Sequence, residues 1–285
     1  MNRLQYLFDI FLVLFLLASC NPERDIKVMN LQDKGSFLDS TKLTSQQKIY
    51  VAISTMISPI ETFNLYKDLI DYISFKLEVP IEFKQRKTYG EVNELLKENK
   101  LDFAFICTGA YHEVKNKIPI EILVVPVVNG KPYYQAYVVV NEDSNINELE
   151  DLKGRSFAFT DPLSNTGYNY IVNILKYKKT TPGKFFSKTI FTYAHDYSIQ
   201  AVKRKIVDGA TVDALIYEYL KKFQPDKVEG IKIIHKSRDF GIPPFVVQQN
   251  LNNDLKTRLR NIMLNMHLDK EGKELLSKIM IDKFI

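Results

Sequence analysis

The sequence predicts an α/β protein built as two similar lobes with a cleft between them. Three observations carry this. Strand-like and helix-like segments alternate, they do so in two successive cycles, and a late β-rich run reads as the return of the chain to the first cycle. Such βαβ order implies in each lobe a mostly parallel sheet flanked by helices, with the two passages between lobes forming a hinge.

In the first cycle, residues 48–54 (Lys-Ile-Tyr-Val-Ala-Ile-Ser) are β-rich and end in small polar residues. Residues 59–77 carry Leu65, Leu69, Ile73 and Leu77 at helical spacing. Residues 79–83 form a second strand, 89–99 a short helix with Val92, Leu95 and Leu96 inward, and 101–106 a third strand followed at once by Thr108-Gly109. In the second cycle, residues 120–128 and 134–140 are β-branched runs around a Gly130-Lys131-Pro132 turn. Residues 149–154 are a short helix with a Gly stop, and 156–160 a strand ending in Asp161-Pro-Leu-Ser164. Helix 167–176, strand 190–193, helix 198–208 and strand 214–217 complete the unit; 231–235 is read as the returning strand and 253–284 as a helical tail. The lobes are therefore placed at 46–136 with 236–285, and at 137–235.

Residues 1–19 combine Arg3, an apolar run from Ile10 to Leu17, and small residues before a cut, which describes a secretory signal peptide. The run is shorter than the roughly 20 apolar residues a span requires. Leu17-Ala18-Ser19-Cys20 resembles the lipobox of bacterial lipoproteins, in which the Cys is acylated, although Asp9 is an unusual charge at the edge of the apolar run. The expectation is an exported chain held to the bacterial cell membrane by lipid on Cys20, at a periplasmic or extracellular face, with residues 20–45 as a polar tether.

About 240 of the 285 residues remain for the lobes, enough for two medium cores. The net charge of +5 is mild, and its Lys and Arg are scattered, which argues against nucleic-acid binding and leaves anionic small solutes or an anionic membrane surface compatible. The two Cys and four His show no metal-ligand or redox spacing, so neither metal nor cofactor is called for. Cys107 reads as a buried structural thiol, and with no His near it in sequence it supplies no persuasive nucleophile; the chain is read as a non-enzyme.

Ligands of open α/β sheets bind beyond the carboxyl ends of the strands. This singles out residues 54–58, 108–111, 164–167 and the loops at His195 and Glu218. Asp161-Pro-Leu-Ser-Asn-Thr-Gly167 is the sharpest, because it sets hydroxyls and free N–H groups at a helix mouth, which suits an oxyanion. Ser164 or Thr166 could equally cap that helix, and one residue can do both. Gly167 would permit close approach of a ligand. Arg155 precedes a strand, away from the cleft, and is read as structural.

Residues 151–168, Asp-Leu-Lys-Gly-Arg-Ser-Phe-Ala-Phe-Thr-Asp-Pro-Leu-Ser-Asn-Thr-Gly-Tyr, resemble the signature of the phosphate/phosphite/phosphonate-binding proteins of ABC importers. Leu101-Asp-Phe-Ala-Phe, Ala194-His195-Asp196, Ala201-Val202, Val212-Asp213-Ala214 and Ile242-Pro-Pro-Phe-Val246 extend the likeness in matching order. The resemblance implies a two-lobed periplasmic-binding-protein-like (type II) fold and a lipoprotein that captures a phosphorus oxyanion in the interlobe cleft. It implies as partners a small anionic solute and an ABC permease with its ATPase, with the protein a monomer that has no nucleic-acid partner. By the same resemblance Ser164, Asn165, Thr166 and Gly167 grip the oxyanion at the helix mouth, His195 reaches it across the cleft, and Tyr89 contacts it from the first lobe. Thr108 and Tyr111 fall in the other first-lobe loop, and Glu218 matches a carboxylate that receives a ligand amine. Asn165 stands where the family has a hydroxyl, and Pro243 where it has a second carboxylate, which weakens an aminophosphonate assignment. A same-fold receptor for a sulfonate or a thiamine precursor, or a sensor for a membrane kinase, stay open.

Overall fold

The computed structural model describes residues 48–285. The leader, the lipidated Cys20 and the tether read from residues 1–45 lie outside the described residues.

Strands β1 (Ile49–Ile53), β2 (Ile81–Phe83), β3 (Phe103–Phe105) and β4 (Ile120–Val124) alternate with helices α1 (Pro59–Leu77), α2 (Tyr89–Lys97) and α3 (Thr108–Val114). The short strands β5 (Pro126–Val127) and β6 (Tyr133–Tyr134) lead to β7 (Ala136–Asn141) and β8 (Ser156–Phe159). Helices α4 (Tyr170–Tyr177) and α5 (Pro182–Phe185), strand β9 (Lys188–Phe191), helix α6 (His195–Lys203), strand β10 (Gly209–Asp213) and helix α7 (Ala214–Phe223) follow. Strands β11 (Ile231–Lys236), β12 (Phe240–Gly241) and β13 (Phe245–Gln248) precede α8 (Asn253–Asn265), α9 (Lys270–Lys278) and β14 (Lys283–Phe284).

Two five-stranded sheets result, ordered β2-β1-β3-β13-β4 and β11-β7-β10-β8-β9. In the first, only β13 opposes its neighbours; in the second, only β7 does. Each opposed strand is the one the chain enters directly after crossing between lobes. The two crossings pair with each other through β6 and β12, Phe240 opposite Tyr134 and Gly241 opposite Tyr133. Helices cover both faces of both sheets because the strands alternate. Val51 and Ile53 join the core beneath α1 and α8, while Ala52 turns to the core beneath α2. Likewise Val138 and Val140 pack on one face of the second sheet, and Tyr137 and Val139 on the other.

Several predicted elements shift. Residues 214–217 are the start of a helix, not a strand, because Asp213 ends β10 and its Oδ1 accepts the Leu215 N–H at 2.8 Å as an N-cap. Strand β11 does not carry the chain back to the first lobe. It pairs antiparallel with β7 as an edge of the second sheet, and the crossing follows at residues 237–244. The predicted helix 167–176 opens with a π-helical turn (Asn165–Asn169), and the helix expected at 198–208 begins already at His195 and stops at Lys203. The tail breaks at Asp269, which caps α9 through Gly272, and ends as a strand on β5.

Candidate functional site

The cleft is built from helix starts. The first turn of a helix leaves backbone N–H groups unpaired, and here three of them are answered across the cleft. Ser58, the N-cap of α1, donates its N–H to Asp196 Oδ1 at 3.0 Å. Tyr89, the first residue of α2, donates its N–H to Asp161 Oδ2 at 3.1 Å. His195, the first residue of α6, donates its N–H to the Met56 carbonyl at 2.9 Å. The lobes are thus in contact, and burial raises both the Asp161 and the Asp196 carboxyls above the usual carboxylate range, with their backbone hydrogen bonds opposing the shift.

Around this seam lie four buried polar atoms without a protein partner: Ser54 Oγ, Tyr89 Oη, Thr166 Oγ1 and His195 Nε2. Two come from each lobe. An unpaired buried polar group costs about 1–3 kcal/mol, so a cluster of this kind marks a place built for something else to bind. The His195 ring shows how the donors are set. Its Nδ1 accepts the Asp213 N–H at 3.0 Å and lies 3.1 Å from Thr160 Oγ1, so the neutral ring carries its proton on Nε2, as a donor. Burial pushes the His195 pKa down to about 3, which keeps it neutral. Burial also holds the Tyr89 phenol protonated, well above its ordinary range. All four are therefore uncharged groups able to donate.

The helix mouth at residues 164–167 divides its labour. Ser164 Oγ accepts the Gly167 N–H at 2.9 Å and so caps the π-turn, while its own O–H remains available to donate. Thr166 is fixed through its carbonyl, which accepts from Thr211 Oγ1 at 2.6 Å. Asn165 Nδ2 donates to Tyr134 Oη at 3.2 Å, on the crossing strand. Gly167 makes room for protein rather than for a ligand, since a Cβ there would lie 2.6 Å from Thr160 and 2.9 Å from the His195 ring. Gly109 has the corresponding role between lobes: a Cβ would sit 2.2 Å from the Leu163 carbonyl and 2.8 Å from the Asn165 nitrogen.

The remaining predicted residues divide. Glu218 lies on α7 at the wall of a cavity of about 410 Å³ between the lobes, where its Oε1 accepts from Tyr137 Oη at 3.3 Å. Thr108 is not brought to the donor cluster; its hydroxyl donates to the Gly241 carbonyl at 2.8 Å and ties α3 to the second crossing. Tyr111 is not brought there either. It follows Thr108 on α3 and packs outward with the core that holds Val92 and Leu96. Cys107 is free and buried, and burial pushes its thiol up to about 11. Ser54 belongs to the singled-out segment 54–58, whereas sequence reasoning assigned no role to three residues that complete the seam: Asp161, Asp196 and Asp213. Ser54 and Asp213 both line the cavity, and burial pushes the Asp213 carboxyl up to about 7. The signal for the aspartates was present, since each stands at the start of a loop or helix after a strand, but its meaning depends on the opposite lobe.

Two α/β lobes, joined by paired crossings and carrying inward-facing donors on both sides, make up a two-lobed type II periplasmic-binding-protein-like fold. The chain belongs to the family described as "ABC transporter, phosphonate, periplasmic substrate-binding protein", whose sequence model matches residues 51–285. It is 27% identical over 209 residues to the Escherichia coli phosphonates-binding periplasmic protein, covering 72% of this chain and 62% of that one. It is 24% identical over 209 residues to the Mycolicibacterium smegmatis phosphate-import protein PhnD, covering 69% and 65%. The chain thus matches less than two thirds of the length of these relatives. Among solved structures, a binding protein component of an ABC phosphonate transporter from Pseudomonas aeruginosa superposes with a TM-score of 0.79 at 26% identity, covering 84% of this chain and 81% of that one. The Prochlorococcus marinus PhnD1 protein in complex with methylphosphonate gives 0.76 at 17% identity, covering 84% and 92%, and supports the fold. Among the described residues no helix is long and apolar enough to cross a membrane.

Proposed function

We propose that this protein is the solute receptor of an ABC importer and captures a phosphorus oxyanion (a phosphonate, phosphite or phosphate) between its lobes for delivery to a permease and its ATPase. The observation that carries the reading is the set of four buried, uncharged donors, two per lobe, with no protein partner. Ser164 O–H and the helix mouth add donors on the second-lobe side. Pre-placed N–H and O–H groups can replace the hydration of an anion without a counter-charge, and hydrogen bonds to a charged acceptor are the strong ones. Because the donors come from both lobes, the ligand would favour the closed arrangement through contacts that the open one lacks. A permease would then read closure as loading, and no bond chemistry is required of the receptor.

The relatives support both candidate cargoes, one being named for phosphonates and the other for phosphate import. Pro243 at the position of the family's second carboxylate speaks against an aminophosphonate. In the same reading residues 1–19 are removed, Cys20 is lipidated, and residues 20–45 tether a monomeric receptor to the outer face of the cell membrane.

Calorimetric titration of the full chain in mild detergent, freed of small solutes, against phosphate, phosphite, methylphosphonate and sulfate tests the reading. Binding of a phosphorus oxyanion with rejection of sulfate is expected. Replacing Ser164 and Thr166 together by Ala should abolish that binding while the protein still melts cooperatively. Retained affinity in the double variant would move the anion elsewhere.

A further inference from the structure

A receptor for a bare oxyanion needs little room beyond the anion itself. Here a cavity of about 410 Å³ is lined by Ser54, one of the four donors, and by Asp213, whose amide bonds the His195 ring. A cavity of roughly 150 Å³ already accommodates benzene, and drug-sized ligands occupy clefts from about 300 Å³ upward. A methyl substituent would leave most of this volume to water.

The walls decide what kind of group would fill it. Beyond Ser54 the lining is dominated by rings and aliphatic side chains, among them Tyr66, Tyr134, Tyr137, Leu215, Ile216 and Tyr219. Leu215, Ile216 and Tyr219 are only partly buried although they stand on α7 at the cavity wall, so apolar surface is presented to the cavity and not covered by protein. Burial keeps the Tyr66 and Tyr134 phenols protonated, so these rings remain neutral. Glu218 is the carboxylate near the middle of α7, already bonded to Tyr137, and Pro243 contributes a further apolar wall. Aromatic faces favour stacked or edge-on rings.

We infer that the cargo's phosphorus carries a ring-sized, largely apolar organic arm: an aromatic or comparably bulky phosphonate or phosphate monoester, with the arm in this cavity and the oxyanion on the four donors. The inference rests on the oxyanion reading above and names the ligand class within it. Carbon–phosphorus and ester linkages present the same head and the same arm, so the test carries one probe of each.

The experiment is calorimetry on the full chain with methylphosphonate, phenylphosphonate and phenyl phosphate. At least one of the ring-bearing probes is expected to bind tenfold or more tighter than methylphosphonate, and the tighter of the two names the linkage. Methylphosphonate binding as tightly as both ring-bearing probes, or more tightly, overturns the inference and leaves the oxyanion reading standing. Silence toward all three, and toward phosphate and phosphite, overturns both. Ile216→Trp, which fills the cavity from α7, should reduce affinity for the preferred ring-bearing probe at least ten times more than affinity for methylphosphonate; equal losses would place the arm outside the cavity.

Discussion

In the second lobe, the donor side chains that face the cleft are held by bonds inside that lobe, although the His195 amide reaches the Met56 carbonyl of the first. Ser164 caps Gly167, Thr211 fixes the Thr166 carbonyl, and the Asp213 amide and Thr160 hydroxyl orient the His195 ring. In the first lobe, the corresponding segments lean on the other lobe: the N–H groups of Ser58 and Tyr89 are bonded to Asp196 and Asp161 across the seam. Separation of the lobes would leave the second-lobe donors in place and free the first-lobe helix starts. The second lobe is therefore a preorganised half-site and the first a cover, and preorganisation is what turns contact into affinity.

The largest expected effect follows from removing the best-anchored donor. His195→Ala takes away one N–H and also the acceptor of the Asp213 amide, so affinity for the preferred oxyanion should fall at least a hundredfold, about 2.8 kcal/mol. Tyr89→Phe removes one hydroxyl from the covering lobe and keeps the N–H that bonds Asp161, so about tenfold is expected, roughly 1.4 kcal/mol. Calorimetry on both variants breaks the comparison if the Tyr89 loss equals or exceeds the His195 loss.

A second test titrates the anchored half itself. The unfolded chain ionises Asp213 near 3.8, whereas the folded chain keeps its proton to about 7. Between these values the folded state binds more protons, so this group lowers stability as pH rises. His195 has the opposite sign. The unfolded chain protonates it near 6.5 and the folded chain only near 3, so this group lowers stability as pH falls through that window. The two nearly cancel between pH 4 and 6.5. Asp213→Asn should therefore expose a decline in stability toward acid on the order of 2 kcal/mol across the window, and His195→Asn a decline in the other direction. Urea melts that show the same pH profile for both variants would mean that neither group is held as the seam requires.

Short continuous β-branched runs located most strands, because a sheet covered on both faces buries successive side chains on opposite sides, as with Val138, Val139 and Val140. Residues 211–216 were harder. Thr-Val-Asp-Ala-Leu-Ile is apolar at both periods, and only the capping bond of Asp213 separates strand from helix. Strand β11 was found, but not its partner, since pairing with β7 is a contact distant in sequence. In the site, Ser164, Thr166 and His195 were singled out because polar groups there stand at strand ends and helix starts, whereas Tyr89 entered only through the resemblance to the oxyanion-binding family. Asp161 and Asp196 were not, since their partners lie 72 and 138 residues away in the chain. Thr108 and Tyr111 follow a strand as ligand residues do, yet α3 turns one toward the hinge and the other into the outer core.

The smallest effect separates the buried seam from its rim. Lys227 and Glu61 also join the lobes, 3.5 Å apart, with side chains 28% and 33% exposed. Such a partly solvated pair contributes at most about 1 kcal/mol and weakens with salt. Asp196 is buried, and its bond to the Ser58 amide has no water to replace it. Lys227→Ala should change ligand affinity by no more than about twofold, and that difference should vanish at high salt. Asp196→Asn retains an acceptor oxygen but loses its charge, and about a fivefold loss is expected whatever the salt. If Lys227→Ala cost more than Asp196→Asn, closure would be governed by the charged rim, and the helix starts beneath it would merely follow.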